Sequence, residues 1–189
     1  MQKNKTELKQ ALNTVTIIGT LKEKKLELSK TKDGKNYIGG ELVIATDKSS
    51  SYRVHIFANK KTKDGKDSKI FKSYETINKS YLSEAEIIKE GIPDVEPTKV
   101  KATGELSLND YYLNGQLFSR PQIRGRFINR VKSEKEFKPH ASFDAEMYIE
   151  NIRPELKKEE ETGRAVVTGI LPIYGGKVIP IDFITDSED

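Results

Sequence analysis

The spacing of apolar and polar positions changes several times along this chain, and each change marks an element. In residues 13–21, NTVTIIGTL, Val15, Ile17, Gly19 and Leu21 alternate with Thr14, Thr16 and Ile18. A period of two is the signature of a half-buried strand, and Gly19 suggests a bulge or bend of the kind a barrel needs where one strand serves two sheets. Residues 25–30, KLELSK, keep that period and predict a second strand segment. An Asp33-Gly34 turn precedes residues 36–46, NYIGGELVIAT, and a serine-rich turn at 49–51 precedes residues 52–59, YRVHIFAN. There Val54 and Ile56 share one face and Arg53, His55 and Phe57 the other. Residues 72–90 fit one or two short helices, with Ile77, Tyr81, Ile87 and Ile88 as candidate core contacts and Gly91 as the stop. Residues 98–106 and 111–118 read as a hairpin around an Asn109-Asp110 turn. Residues 123–131 read as a basic strand or extended arm, and residues 143–152 as a closing strand.

Many short strands with glycine-bearing turns and one intervening helical stretch predict an all-β domain with one or two short helices. The expected architecture is a Greek-key barrel of the OB type with a C-terminal β-hairpin extension. Residues 1–11 form a polar arm, 12–153 the barrel domain and 154–164 a charged linker. Residues 165–189 restart a β pattern that echoes VTIIGTL and GGELVIAT. They are the start of a second, similar barrel or a strand pair packed on the first domain, because so short a segment makes no core of its own.

Composition narrows the function classes. With no cysteine there are no disulfides or thiolate metal sites, and His55 and His140 alone make no metal cage. There is no P-loop, HExxH or G-x-S-x-G, so the chain reads as a non-enzyme without a cofactor. No apolar run spans a bilayer and MQKNKTELKQ is no secretory signal, which points to a cytoplasmic protein without a membrane partner. The net charge is +4, but residues 1–153 hold 29 basic against 21 acidic side chains and residues 154–189 hold 4 against 8. A basic body favours a polyanion through phosphate contacts.

The strands, taken in order, resemble the single-stranded DNA-binding proteins of bacteria and phages. ALNTVTIIGTL is similar to that family's first strand, GKNYIGGELVIAT to its glycine-rich second, and SYRVHIFANK to its third. A helix and Gly91 follow, then VKATGELSLNDYY, similar to the V-x-x-x-G-x-L hairpin, so the match runs over about residues 11–115. The resemblance implies an OB barrel that stacks bases on exposed aromatics while lysines and arginines hold phosphates. It places Tyr52 and Tyr111 at stacking positions. Ser50 and Ala58 stand where the family often has further aromatics, there is no tryptophan, and the glycine-rich tail and acidic-apolar tip are missing. Lys-, Ile- and Asn-rich composition suits a phage or its Gram-positive host.

Stacking is nearly independent of sequence because every base has a π-face. Candidate stacking residues are Tyr37, Tyr52, Phe57, Tyr111, Tyr112 and Phe118; candidate phosphate contacts are Lys35, Arg53, Lys60, Lys61, Arg120, Arg124 and Arg126. Tyr52 and Phe57 fall on opposite strand faces, so at least one belongs to the core, and the same holds for Tyr111 and Tyr112. SRPQIRGRFINR is part of a binding surface or an edge strand kept soluble by charge. The repeated TKDGK at 31–35 and 62–66 reads as two exposed lysine-rich turns. The expected function is sequence-independent binding and protection of single-stranded DNA in replication, recombination or repair, with homo-oligomers and replication proteins as further partners. RNA binding and an OB-type interaction or virion assembly module are the alternatives.

Overall fold

The computed structural model describes residues 10–186, so most of the expected N-terminal arm and the last three residues lie outside it. Two compact units divide the chain: Thr14–Phe143, and Asp144–Asp189 together with the residues before Thr14.

The larger unit is a closed barrel. Strands β1 (Asn13–Lys30), β2 (Asn36–Ala45) and β3 (Ser51–Asn59) form an antiparallel meander; helices α1 (Lys69–Ser80) and α2 (Glu84–Glu90) follow; β4 (Lys99–Leu113) and β5 (Gln116–Arg130) complete it. β1 pairs with β2 along its second half and with β4 along its first, and β3 pairs in parallel with β5 through Val54↔Ile123 and His55↔Arg124. The cyclic order β1-β2-β3-β5-β4-β1, with helices between β3 and β4, is that of an OB-type barrel. β6 (His140–Ala145) adds a strand beside β1. The two strand segments expected at residues 13–21 and 25–30 are one long strand, with its irregularity between Leu21 and Glu23. Gly19 marks the crowded corner: a Cβ there would lie 2.2 Å from the Ala45 carbonyl oxygen.

Inward residues of all five strands fill the barrel: Val15, Ile17, Leu21, Ile38, Leu42, Ile44, Val54, Ile56, Val100, Ala102 and Ile128 are buried. Each large aliphatic side chain removed from water contributes about 1.5–3 kcal/mol. Helix α1 packs on the barrel through Phe71, Tyr74 and Ile77, one face of a 3.6-residue period. It begins earlier than its sequence pattern suggested, because Ser68 caps it by accepting from the Phe71 N–H (3.2 Å). Ile88, expected in the core, is 73% exposed. Gly91 ends α2 in the left-handed region as expected. The buried Lys24 ammonium donates to the Asn78 and Tyr81 carbonyls (2.7 Å each) and pairs with Glu86 (3.1 Å), closing the end of α1.

Three expectations are corrected. No turn forms at Asn109-Asp110, whose residues pair with Arg120 and Ser119 inside the ladder; the chain reverses at Asn114-Gly115, where both residues have positive φ (51° and 78°). Asn-Gly is the stronger hairpin signal because those two residues tolerate that conformation best. The closing strand expected at 143–152 is divided between β6 and β7 (Tyr148–Lys157). The charged linker expected at 154–164 is strand and turn: β7 runs through a turn at Lys158-Glu159 into β8 (Glu160–Ile173).

In the smaller unit β7, β8 and β9 (Lys177–Ile184) form an antiparallel sheet, with Val166, Leu171, Ile173 and Ile179 buried. Leu12, in the same unit, exchanges hydrogen bonds with Glu146, which lies just before β7 (3.0 and 3.2 Å).

Candidate nucleic-acid interface

Strand alternation divides the predicted aromatics between the two faces of the barrel wall. On β2 and β3 the outward positions are Tyr37, Gly39, Glu41 and Val43, opposite Asn59, Phe57, His55 and Arg53. Tyr37 and Phe57 form a tilted ring pair with centroids 5.0 Å apart, and Phe57 is 45% exposed. The pair closes over Gly39: a Cβ there would stand 3.3 Å from Phe57 Cδ2 and 3.4 Å from Tyr37 Cε2. Tyr52 shares the inward parity of Val54, Ile56 and Ala58 and packs against the core. Of the two aromatics that parity separates on β3, Tyr52 is therefore the inward one and Phe57 the outward one.

Across the β3–β5 pairing the outward row continues through Arg124, Gln122, Arg120 and Phe118 of β5, opposite Glu105, Ser107, Asn109 and Tyr111 of β4. Tyr111 and Phe118 stack with centroids 5.6 Å apart and an interplanar angle of 16°. The Arg120 guanidinium lies 5.8 Å from the Tyr111 centroid, in cation-π range. Tyr112 is 74% exposed but points to the other side, opposite Leu117. Between the two ring pairs a shallow groove of about 340 Å³ is lined by Arg53, His55, Leu106, Pro121, Gln122 and Ile123. The strand distance from Phe57 back to Phe118 is roughly 25 Å at about 3.3 Å per residue.

The predicted cations differ in their surroundings. Glu41 pairs with Arg53 (3.2 Å) and lies 3.5 Å from His55. Glu105 pairs with Arg126 (2.6 Å), and Asp67 with Lys61 (2.7 Å). Lys35, Lys60, Arg120 and Arg124 have no carboxylate within ion-pair distance among the described residues, and all four are exposed. Those four are available to phosphates without breaking an existing pair.

One further exposed aromatic, within the SRPQIRGRFINR stretch, is not among the candidate stacking residues of the sequence. Phe127 is 59% exposed and outward, opposite Thr103, because a bulge between Thr103 and Gly104 makes Arg126 the extra residue and reverses the parity beyond it. Gly125 and Ile128 are both buried as a result. Tyr74 pins this bulge from α1, sharing its hydroxyl between the Gly125 and Arg126 carbonyls (3.1 Å each). Burial pushes its phenol above the usual tyrosine range, so it remains a donor. A Gly followed three residues later by an apolar core residue was the available signal.

Solved structures similar to the chain include the wild-type single-stranded DNA-binding protein of Thermus aquaticus, at 15% identity and a TM-score of 0.48 over 93% of this chain and 74% of that one. The mitochondrial single-stranded DNA-binding protein Rim1 of S. cerevisiae aligns at 11% identity and a TM-score of 0.34, over 66% and 98% of the two chains. The dimeric N-terminal domain of PriB from Thermoanaerobacter tencongensis aligns at 21% identity and a TM-score of 0.30, over 64% and 98%. With scores of this size the assignment of the barrel rests on its strand order and pairing. A search of curated proteins finds no match. The YorF family model matches residues 11–189, nearly the whole chain, and the protein belongs to the YorF family.

Proposed function

We propose that this protein binds single-stranded DNA without sequence preference, stacking bases on the outward face of its barrel and holding phosphates with the lysines and arginines around it. The observation that carries the reading is the placement of two aromatic pairs, Tyr37–Phe57 and Tyr111–Phe118, on one outward row with Arg120 and Arg124 between them. An outward aromatic pair has no core to fill, and base stacking uses such surface at about 1–3 kcal/mol per base. Protection of exposed single strands in replication or recombination is the biological setting we infer.

A second reading, an OB-type assembly module, draws on the apolar hairpin tip, where Tyr112, Leu113 and Leu117 are all more than half exposed. Fluorescence anisotropy with labelled oligo-dT, oligo-U and duplex DNA at two salt concentrations separates the readings. Wild type is expected to prefer oligo-dT to duplex and to lose affinity with salt. Phe57→Ala and Tyr111→Ala should each weaken binding about 10-fold or more, the lower part of the stacking range. No binding of any oligonucleotide at low salt sinks the proposal in favour of the assembly module; tighter binding of oligo-U than of oligo-dT moves the ligand class to RNA.

A further inference from the structure

The pentapeptide Thr-Lys-Asp-Gly-Lys occurs twice, at 31–35 and 62–66, and the two copies fold alike. In the first, Thr31 N–H donates to the Lys35 carbonyl (2.9 Å) and Gly34 N–H to the Thr31 carbonyl (2.8 Å). In the second, Thr62 N–H donates to Lys66 (2.8 Å) and Gly65 N–H to Thr62 (3.0 Å). The two glycines have φ of 76° and 75°, the left-handed conformation that the turn demands. Local sequence therefore dictates one shape twice, and each copy presents two lysines.

Tertiary structure brings the copies to the same end of the barrel. The first joins β1 to β2. The second begins two residues after Lys60, whose N–H donates to the carbonyl of Asn36 (2.8 Å), the residue that follows the first turn. The second turn is braced: Lys61 and Asp67 form a β-bridge and an ion pair (2.7 Å), Ser68 N–H donates to the Lys60 carbonyl (2.9 Å), and Ser68 caps α1. Residues 30–35 and 60–72 hold nine lysines against three aspartates. Of these lysines only Lys61 and Lys72 lie in an ion pair, both with Asp67, among the described residues. The neighbouring outward residues are the Tyr37–Phe57 pair, with Asn59 opposite Tyr37 in the ladder.

We propose that the twin turns are a second, phosphate-only subsite that receives the backbone of a strand as it leaves the Tyr37–Phe57 rings. Lys32, Lys63 and Lys66 are its phosphate ligands. The inference rests on the single-strand binding proposed above and adds a length dependence to it. A short oligonucleotide occupies the rings alone; a longer one continues across the turns. The turns carry no exposed ring with which to read or stack a base, so their contribution is purely ionic and independent of sequence.

The test compares wild type with the triple variant Lys32→Gln, Lys63→Gln, Lys66→Gln, using oligo-dT of about 8 and about 20 nucleotides over a salt series, sizes within and beyond what one barrel covers. For the long oligonucleotide the slope of log K against log salt should fall by about 2 in magnitude, near 0.7 for each phosphate of a single strand that the variant no longer neutralises. Its affinity at low salt should fall about tenfold or more, while affinity for the short one is unchanged. An unchanged slope with the long oligonucleotide overturns the subsite while leaving the ring face intact as a binder. Equal loss for both lengths overturns it too, since the lysines then act at the rings or through net charge. If wild type binds neither oligonucleotide, the single-strand reading falls and the subsite with it. Circular dichroism of the variant, whose changes lie on exposed turns, checks that it is folded.

Discussion

Gly39 shows how one residue sets the candidate interface. It lies on the outward face between Tyr37 and Phe57, and the lack of a side chain lets the two rings meet at 5.0 Å. Gly39→Ala places a methyl 3.3 Å from the Phe57 ring and 3.4 Å from the Tyr37 ring, so the pair must open by a few tenths of an ångström. We expect oligo-dT affinity to fall about fivefold, roughly 1 kcal/mol and the lower end of one stacking contact. The melting temperature should hold, because nothing inward of the strand changes; a matching fall in melting temperature would instead assign Gly39 to the fold. At this scale the parity of β3 was legible: Arg53, His55 and Phe57 against Val54 and Ile56 appears in both sequence and structure. Which parity faces water was not, because an aromatic at either position fits a strand. Tyr52 went inward because Val54, Ile56 and Ala58 commit that face to the barrel.

The β4–β5 hairpin is the element that gives the candidate interface its length. Its ladder runs from Val100↔Arg130 to Leu113↔Gln116, longer than the barrel wall requires, and carries the Tyr111–Phe118 stack beyond it. The bulge at Arg126 turns Phe127 outward, and Tyr74 donates to the carbonyls of Gly125 and Arg126 at the bulge. Tyr74→Phe removes the donor and leaves those carbonyls unsatisfied beside a buried ring. The expected cost is about 1–2 kcal/mol, read as a melting temperature lower by a few degrees. Amide exchange at residues 124–128 should rise with it, and unchanged protection there would mean that the bulge holds itself. The ladder was legible in part, since the strand patterns on both sides were read. The turn was misplaced by five residues because Asn109-Asp110 is also turn-forming by composition. Only pairing with Arg120 and Ser119 keeps those residues extended.

Over the whole molecule, charge acts on stability as well as on the proposed binding. Burial pushes the Glu86 carboxyl up, but hydrogen bonds from Ser83 and the Lys24 ammonium outweigh it and leave it below its ordinary value. Lys61 and Lys72 lower Asp67, and Ser49 and Ser50 lower Asp47. Groups held below their unfolded values stabilise the fold above those values, and the contribution disappears as pH falls through the folded ones. The melting temperature should therefore stay level from neutral pH to about 5 and decline below about 4. Thermal melts across that range check this, and a melting temperature rising with acid would contradict it. Glu86→Gln should reduce the decline, since it removes one of the titrating groups.

The local pattern of the chain by itself determined the all-β class, the helical insertion between the third and fourth strands of the barrel, the two identical lysine turns and the absence of thiolate chemistry. Each follows from side-chain period, turn-specific φ or residue type, properties that neighbours in sequence settle among themselves. Tertiary structure decided the rest. β1 is one strand serving two partners, residues 154–164 are sheet instead of linker, Tyr52 is inward, and Phe127 faces out. The reason is common to all four: strand pairing joins residues far apart in sequence. A partner across the ladder, or a single bulge in it, determines which side of an alternating segment meets water.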